Sequence, residues 1–351
     1  MTKNSSFKNK KIMISVLLIV LLVGIAIGID FYKNVFTPYA GYGNPIYVEI
    51  PKGASAASIA RILHKNKVIS GYYHFRIYYR LFFGNLTFKS GEYLFDRPMT
   101  MHDVIEKLHE GKVALFKLTV QEGLSIPEIA ELAASHPSLH ISSDAFIREA
   151  RSGDLIRELD PTAPDLEGYL FPDTYMLRRN VTAQELVGMM VDRFKENFTK
   201  PMEQRSHEMD FSIRKAVTMA SLIEKETASS EERYLISSVF HNRLKIQMAL
   251  ACDPTVIYAL KRDNAYKGKL GWAALRYDSP YNTRIYRGLP PGPICSPGVA
   301  SIKAALYPPQ TNYLYFVAEN PQKHYFSESL DEHNRAVRKF IINRGKEEKK
   351  K

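Results

Sequence analysis

The sequence predicts an α+β protein carried on one amino-terminal membrane-spanning helix. Three observations predict it. An uncharged apolar run of 18 residues lies near the start, and short strand-like segments follow, each leading into a capped helical pattern. Beyond two prolines near residue 160, longer helical patterns alternate with proline–glycine loops. At 351 residues, 45% hydrophobic and 24% charged, the chain can bury its own core and is neither disordered nor fibrous.

The apolar run is Ile12 to Ile29, IMISVLLIVLLVGIAIGI. About 18–20 apolar residues rising ~1.5 Å each cross a hydrocarbon core. The run has no polar stripe, which excludes a helix lying along a surface. Lys3, Lys8, Lys10 and Lys11 precede it, whereas Asp30 and Lys33 follow and cancel. This bias predicts a cytoplasmic tail over 1–11, a single-pass helix over 12–30 and a body outside the cytoplasmic (inner) membrane. A cleaved signal peptide is the competing reading, since Ala26 and Gly28 are small, but signal cores run only ~7–15 residues.

The formal charge of +11 on its own invites a nucleic-acid partner. Its distribution points elsewhere: the four leading lysines supply +4 and Arg344 to Lys351 supply +3, leaving +4 for everything between. With no zinc finger, helix-turn-helix or aromatic–basic signature, and a body outside the cytoplasm, no nucleic-acid partner is expected. Cys252 and Cys295 could pair outside the cytoplasm or remain buried thiols, and no zinc spacing is present. No metal or cofactor is expected.

Residues 31–45 read as a linker. Ile46 to Ile50 alternates like a strand, Pro51-Lys52-Gly53 turns it, and Ser55 to Leu63 has helical spacing. The same phrase recurs 70 positions on: Gly53-Ala54-Ser55 with Ile59-Ala60 matches Gly123-Leu124-Ser125 with Ile129-Ala130. In each, a glycine ends the strand, a serine caps the helix and an Ile-Ala pair faces inward. Between the copies, Gly91 to Phe95 reads as a strand and Thr100 caps a helix with Val104, Ile105 and Leu108. Units of this shape form LysM-like modules, which bind glycans, but many unrelated folds share the pattern.

Asp160-Pro161-Thr162-Ala163-Pro164 cannot continue a helix or central strand and predicts a boundary near 160. Past it, helices are expected over Ala183–Asn197, Ile213–Thr227 and Glu231–Leu250, with another capped by Asp253 with Pro254 in its first turn. Gly288 to Gly298, GLPPGPICSPG, is a rigid loop, and Asn312 to Ala318 reads as a strand.

One glutamate stands out. At ~100° per residue, Ala216, Ala220 and Ile223 share a face, with Glu224 only ~60° from its centre and Lys225 ~160° away. A carboxylate at the edge of an apolar face can hold a proton for donation. The alternative is an ion pair with Arg243 or Lys225. Leu222 does not fit an amphipathic helix.

Several motifs then converge. Ala220-Ser221-Leu222-Ile223-Glu224-Lys225-Glu226-Thr227, Val239-Phe240-His241-Asn242-Arg243-Leu244 and Asp253-Pro254-Thr255-Val256-Ile257-Tyr258 resemble the endolytic murein transglycosylases of the YceG-like family. The resemblance continues through Glu167 to Tyr175 (EGYLFPDTY), Tyr281-Asn282-Thr283, Gly288 to Ile294, Tyr313 to Val317 and His333-Asn334. It implies a LysM-like glycan-binding region over 46–160, a mixed α/β catalytic domain over 161–344 and a basic tail over 345–351.

It also implies a chemistry. Such enzymes cut the β-1,4 bond between N-acetylmuramic acid and N-acetylglucosamine without water, leaving a 1,6-anhydro end. Glu224 matches the family's essential glutamate, which first protonates the leaving oxygen and then accepts a proton from the C6 hydroxyl. Tyr281, Asn282, Thr283, Glu226 and Arg243 are the candidates for substrate contact; for each, a purely structural role is the alternative. The partners implied are peptidoglycan strands and, for a terminator of nascent strands, peptidoglycan synthases. A non-catalytic glycan-binding scaffold is the competing function.

Overall fold

The computed structural model describes residues 3–84, 86–227, 229–320 and 323–342; the basic tail expected over 345–351 lies outside them. The chain divides into two compact units between Phe116 and Lys117.

The first unit begins with helix α1 (Lys3–Phe36), whose stretch from Lys10 to Phe36 is long and apolar enough to cross a membrane. The helix does not stop at the end of the apolar run. Val35 is fully buried in the core of the unit, Phe36 meets Tyr78 edge-on at 5.6 Å, and Asp30 bonds His74. Residues 31–36 of the expected 31–45 linker are therefore helix, held there by burial.

Strand β1 (Ile46–Ile50), helices α2 (Ala56–Lys65) and α3 (Tyr72–Phe82), strand β2 (Gly91–Phe95) and helix α4 (Met101–Glu110) follow. β1 and β2 pair antiparallel, with Ile46 opposite Phe95 and Ile50 opposite Gly91. Their inward residues Val48, Ile50, Tyr93 and Phe95 pack with Ile59, Leu63, Phe75 and Leu108 from the helices. Ser55 caps α2 by accepting from the Ser58 N–H. Thr100 and Asp103 form a reciprocal capping box at α4. The sequence pattern does not announce α3. Its aromatic residues are indifferent helix formers, and the helix is fixed by the burial of Phe75 and Tyr78.

The second unit contains strand β3 (Phe116–Thr119), which straddles the division and pairs with β4 (Thr174–Leu177). Helices α5 (Ile126–Ala134), α6 (Ser143–Ala150), α7 (Ala183–Asn197), α8 (Lys200–Glu208), α9 (Ile213–Glu226), α10 (Ser230–Lys245), α11 (Asp253–Arg262) and α12 (Val299–Leu306) come next. The antiparallel pair β5 (Tyr315–Asn320) and β6 (Lys323–Ser327), then helix α13 (Leu330–Val337), complete it.

The division does not fall near 160. Asp160 is 4% exposed; its carboxylate accepts hydrogen bonds from Tyr169 Oη at 2.6 Å and Arg214 Nε at 3.0 Å. The two prolines thus mark a bend inside the second unit, tied down by a buried ion pair. The second copy of the repeated phrase belongs to this unit as well. Gly123 has φ +82°, as Gly53 has +76°, the positive φ that glycine adopts without penalty, and Ile129 and Ala130 are fully buried.

α9 is central and packs against α8, α10, α11 and α12. Every residue from Ala216 to Ile223 is buried, which explains why Leu222 does not fit an amphipathic pattern: the helix has almost no solvent face. α10 ends five residues before the expected Leu250. Gln247 takes φ +54° and Met248 N–H closes onto the Arg243 carbonyl, reversing the chain. Cys252, not Asp253, is the residue that precedes α11. Both cysteines are free and buried.

Replacing Thr100 with Ala removes one half of the α4 capping box and is expected to lower stability by about 1 kcal/mol. A urea titration of wild type and Thr100→Ala, comparing midpoints at unchanged slope, measures it.

Candidate active site

The proline-rich loop reaches Glu224 through a series of backbone bonds. Gly123 N–H donates to Ser296 O and Ser296 N–H donates to Leu124 O, both at 2.8 Å. Ile294 N–H donates to Ser221 Oγ at 3.1 Å, and Lys225 Nζ donates to the Gly123 carbonyl at 3.1 Å. The loop preceding α5 and the loop preceding α12 are thus fastened to each other and to the last turn of α9. Gly298 ends this path, and its N–H donates to Glu224 Oε2 at 3.0 Å.

The other oxygen, Oε1, accepts from Arg233 Nη2 at 3.4 Å, both side chains being nearly buried at 6% and 10% exposed. Arg233 comes from α10, so the partner is neither Arg243 nor Lys225. Buried charges are tolerated when paired and hydrogen-bonded, and Glu224 has one donor for each oxygen. Arg233 Nη2 also faces Glu122 Oε2 at 3.5 Å. A Cβ at Gly298 would lie 1.8 Å from Glu122 Oε1, so that carboxylate rests against the Gly298 backbone. Two carboxylates therefore flank one guanidinium and one glycine. Glu122 and Arg233 were not among the residues singled out from sequence. In the sequence, Gly123 marks the end of a repeated strand and α9 shows helical spacing, and neither signal points across to the other.

Glu167, from the EGYLFPDTY segment, is fully buried behind this region. It accepts from the Ile126 N–H at the start of α5 and from Tyr258 Oη at 3.2 Å. Burial pushes its carboxyl up to about 8. Holding the start of α5 also holds the preceding residues Glu122 and Gly123. Gly168 has φ +86°, and a Cβ there would meet Pro293 at 2.5 Å and Val217 at 2.9 Å. This is the close approach by which the segment seats the proline loop on α9.

The remaining sequence candidates are not gathered at Glu224. Asn282 is fully buried and donates to the carbonyls of Leu275 and Tyr277. Thr283 Oγ1 accepts from the Cys252 N–H and meets Thr255 Oγ1 at 3.0 Å. Both brace the loop that follows α11, because their polar atoms are taken up inside the protein. Arg243 donates from Nε to Leu314 O and from Nη1 to Leu250 O, with Tyr315 beneath its guanidinium. Glu226 bonds Cys252, and burial raises its carboxyl. Tyr281 is half-buried, 5.0 Å from the Tyr258 ring, with Arg262 over its face. Its hydroxyl lies near Gly292, beside Arg214 in the first turn of α9, some 15 Å along that helix from Glu224. A cavity of about 340 Å³, lined by Lys225, Tyr258, Glu128, Lys261, Tyr266 and Ile294, opens beside the last turn of α9.

The YceG-like family model matches residues 48–339, and the chain belongs to that family. It is 36% identical over 311 residues to a Bacillus subtilis (strain 168) protein named endolytic murein transglycosylase, covering 84% of this chain and 85% of that protein. A protein of the same name from Streptococcus pneumoniae serotype 2 (strain D39) is 28% identical, and the alignment spans 58% of its length. A crystal structure of a yceG-like protein from Listeria monocytogenes superposes with a TM-score of 0.56 at 35% identity, over 84% of this chain and 99% of that one.

The raised Glu167 carboxyl has a consequence for stability. Between its ordinary 4.5 and about 8, the unfolded chain has released this proton while the folded chain keeps it, so stability falls as pH rises through that window. Glu167→Gln removes the effect. Unfolding free energies measured by urea titration at several pH values are expected to decline less steeply across this window in the variant than in wild type.

Proposed function

We propose that this protein is a peptidoglycan lytic transglycosylase in which Glu224 is the proton-transferring group. The observation that carries the reading is the site itself: a nearly buried carboxylate with one donor on each oxygen, in a chain that belongs to the YceG-like family. The names of the Bacillus and pneumococcal relatives supply the substrate class. In the proposed reaction, protonated Glu224 gives its proton to the glycosidic oxygen as the C1–O bond breaks. The same carboxylate then accepts the C6 hydroxyl proton as that oxygen bonds C1, closing a 1,6-anhydro ring without water. The cut falls within a strand, between N-acetylmuramic acid and N-acetylglucosamine.

The cavity beside Lys225, with Tyr258, Tyr266 and the neighbouring Tyr281, supplies aromatic and hydrogen-bonding surface for sugars flanking the cut. Asn282, Thr283, Glu226 and Arg243 support this surface from inside. The β1–α2–α3–β2 order of the first unit, with β1 and β2 paired, supports a LysM-like reading and a glycan-holding role. The apolar part of α1 supports anchoring in the cytoplasmic membrane with the four leading lysines inside. Cutting there would end the growth of nascent strands beside their synthases.

The test uses the full chain in detergent with purified glycan strands, the product ends being read by mass spectrometry. Wild type is expected to give internal cuts with anhydro ends, and Glu224→Gln to lower the rate at least 100-fold while keeping the wild-type circular-dichroism spectrum at the assay temperature. Ends that incorporate solvent oxygen would make the protein a hydrolase. Binding without any cutting would make it a scaffold.

A further inference from the structure

The site holds a second carboxylate that the single-glutamate scheme does not use. Arg233 Nη2 stands 3.4 Å from Glu224 Oε1 and 3.5 Å from Glu122 Oε2, so the two carboxylates lie within about 7 Å of each other. Arg233 Nε is buried and has no hydrogen-bond partner among the described residues; the guanidinium reaches both acids through one nitrogen. Glu122 is the more open of the two at 46% side-chain exposure, against 6% for Glu224. With both ionised, the cluster carries two negative charges and one positive charge at a poorly solvated spot. Like charges in such a pair oppose each other's ionisation.

We propose that Glu122 is a positioning residue for the reaction: it and Glu224 share Arg233 as a coupled acid pair, and the mutual repulsion of the two carboxylates keeps one proton on the pair for delivery by Glu224. This rests on the reading of Glu224 as proton donor. The Glu122 carboxyl is itself held above its usual range, first by burial and then by the charge of Glu224, with Arg233 opposing. Lys225, on α9 itself, is engaged with the Gly123 carbonyl. The loop before α12 brings the Gly298 N–H and the buried thiol of Cys295. Glu226 faces Cys252 and Arg243 instead.

In Glu122→Gln the like charge is gone and Arg233 has a single carboxylate partner, so the site as a whole gives up its proton more readily. At this separation and an effective dielectric of ~20–40, the lost repulsion corresponds to about one pH unit.

The experiment measures kcat and KM for anhydro-end formation across pH on the full chain in detergent, for wild type, Glu122→Gln, Glu122→Asp, Gly298→Ala and Glu224→Gln. Expected in Glu122→Gln are an alkaline limb of kcat about one unit lower, hence a roughly tenfold loss on that limb, and a distinctly smaller loss on the acid side. Glu122→Asp, which keeps the charge, should move the limb back towards wild type. Gly298→Ala provides a second route. Its φ of −75° accepts a side chain, and the added Cβ displaces the Glu122 carboxylate while the backbone N–H to Glu224 remains. The limb should move the same way. An unmoved limb in both Glu122→Gln and Gly298→Ala, beside an inactive Glu224→Gln, overturns the role of Glu122 and leaves the proposed function intact. A loss in Glu122→Gln that is equal at every pH overturns it too. Wild-type cutting by Glu224→Gln would sink both readings.

Discussion

A carboxylate must be carried at the end of a helix that is buried along nearly all the rest of its length, and the second unit is organised around that constraint. From Ala216 to Ile223, α9 has no exposed residue; Glu224 is where it begins to meet the surface. A charge at such a place costs several kcal/mol unless it is paired. Each of its partners belongs to a different segment. The Gly298 N–H comes from the end of the proline loop and Arg233 from the next helix. The loop itself is held by Ser221 and by the exchange of backbone bonds with Gly123 and Leu124. The site therefore exists only once segments from residue 122 to residue 298 have come together. Proline fits this task, since a loop with few accessible backbone states loses little entropy on being fixed.

Which features were legible in the sequence follows the range of the interactions involved. The strands and caps of the first unit are set by neighbours a few residues apart, and Ser55, Thr100 and the alternating β1 announced themselves. Glu224 was visible too, because its angle on α9 is a local property and the surrounding motif is shared by a family. Arg233 and Glu122 were not. One lies on the following helix and the other 102 positions earlier, and no periodicity within either segment encodes the meeting. Asn282 and Thr283 show the opposite case: a conspicuous polar motif spent on bracing a loop from within. The misfit of Leu222 carried information that the amphipathic template could not use, namely that α9 is covered on nearly all sides.

The repeated glycine–serine phrase shows how little a local match says about location. Both copies make the same positive-φ turn and the same serine-capped helix with a buried Ile-Ala pair. One copy lies in the first unit and the other in the second. The second has acquired a further task, since the turn ending in Gly123 presents Glu122 to Arg233 and its carbonyl to Lys225. The same short structural solution serves a core in one place and a site in the other.

The unbroken course of α1 bears on mechanics. From Ile29, the end of the apolar run, to Val35, locked in the first unit's core, is only six residues, or about 9 Å of helix. No hinge interrupts that interval, because Asp30 is tied to His74 and Phe31 packs against the same ring. The first unit is thus mounted on a stiff post, not hung on a tether. Its height above any surface that takes up the apolar stretch is set by helix geometry. Lengthening that post by one turn would raise the unit by about 5 Å and rotate it little, while a two-residue insertion would turn it by about 200°.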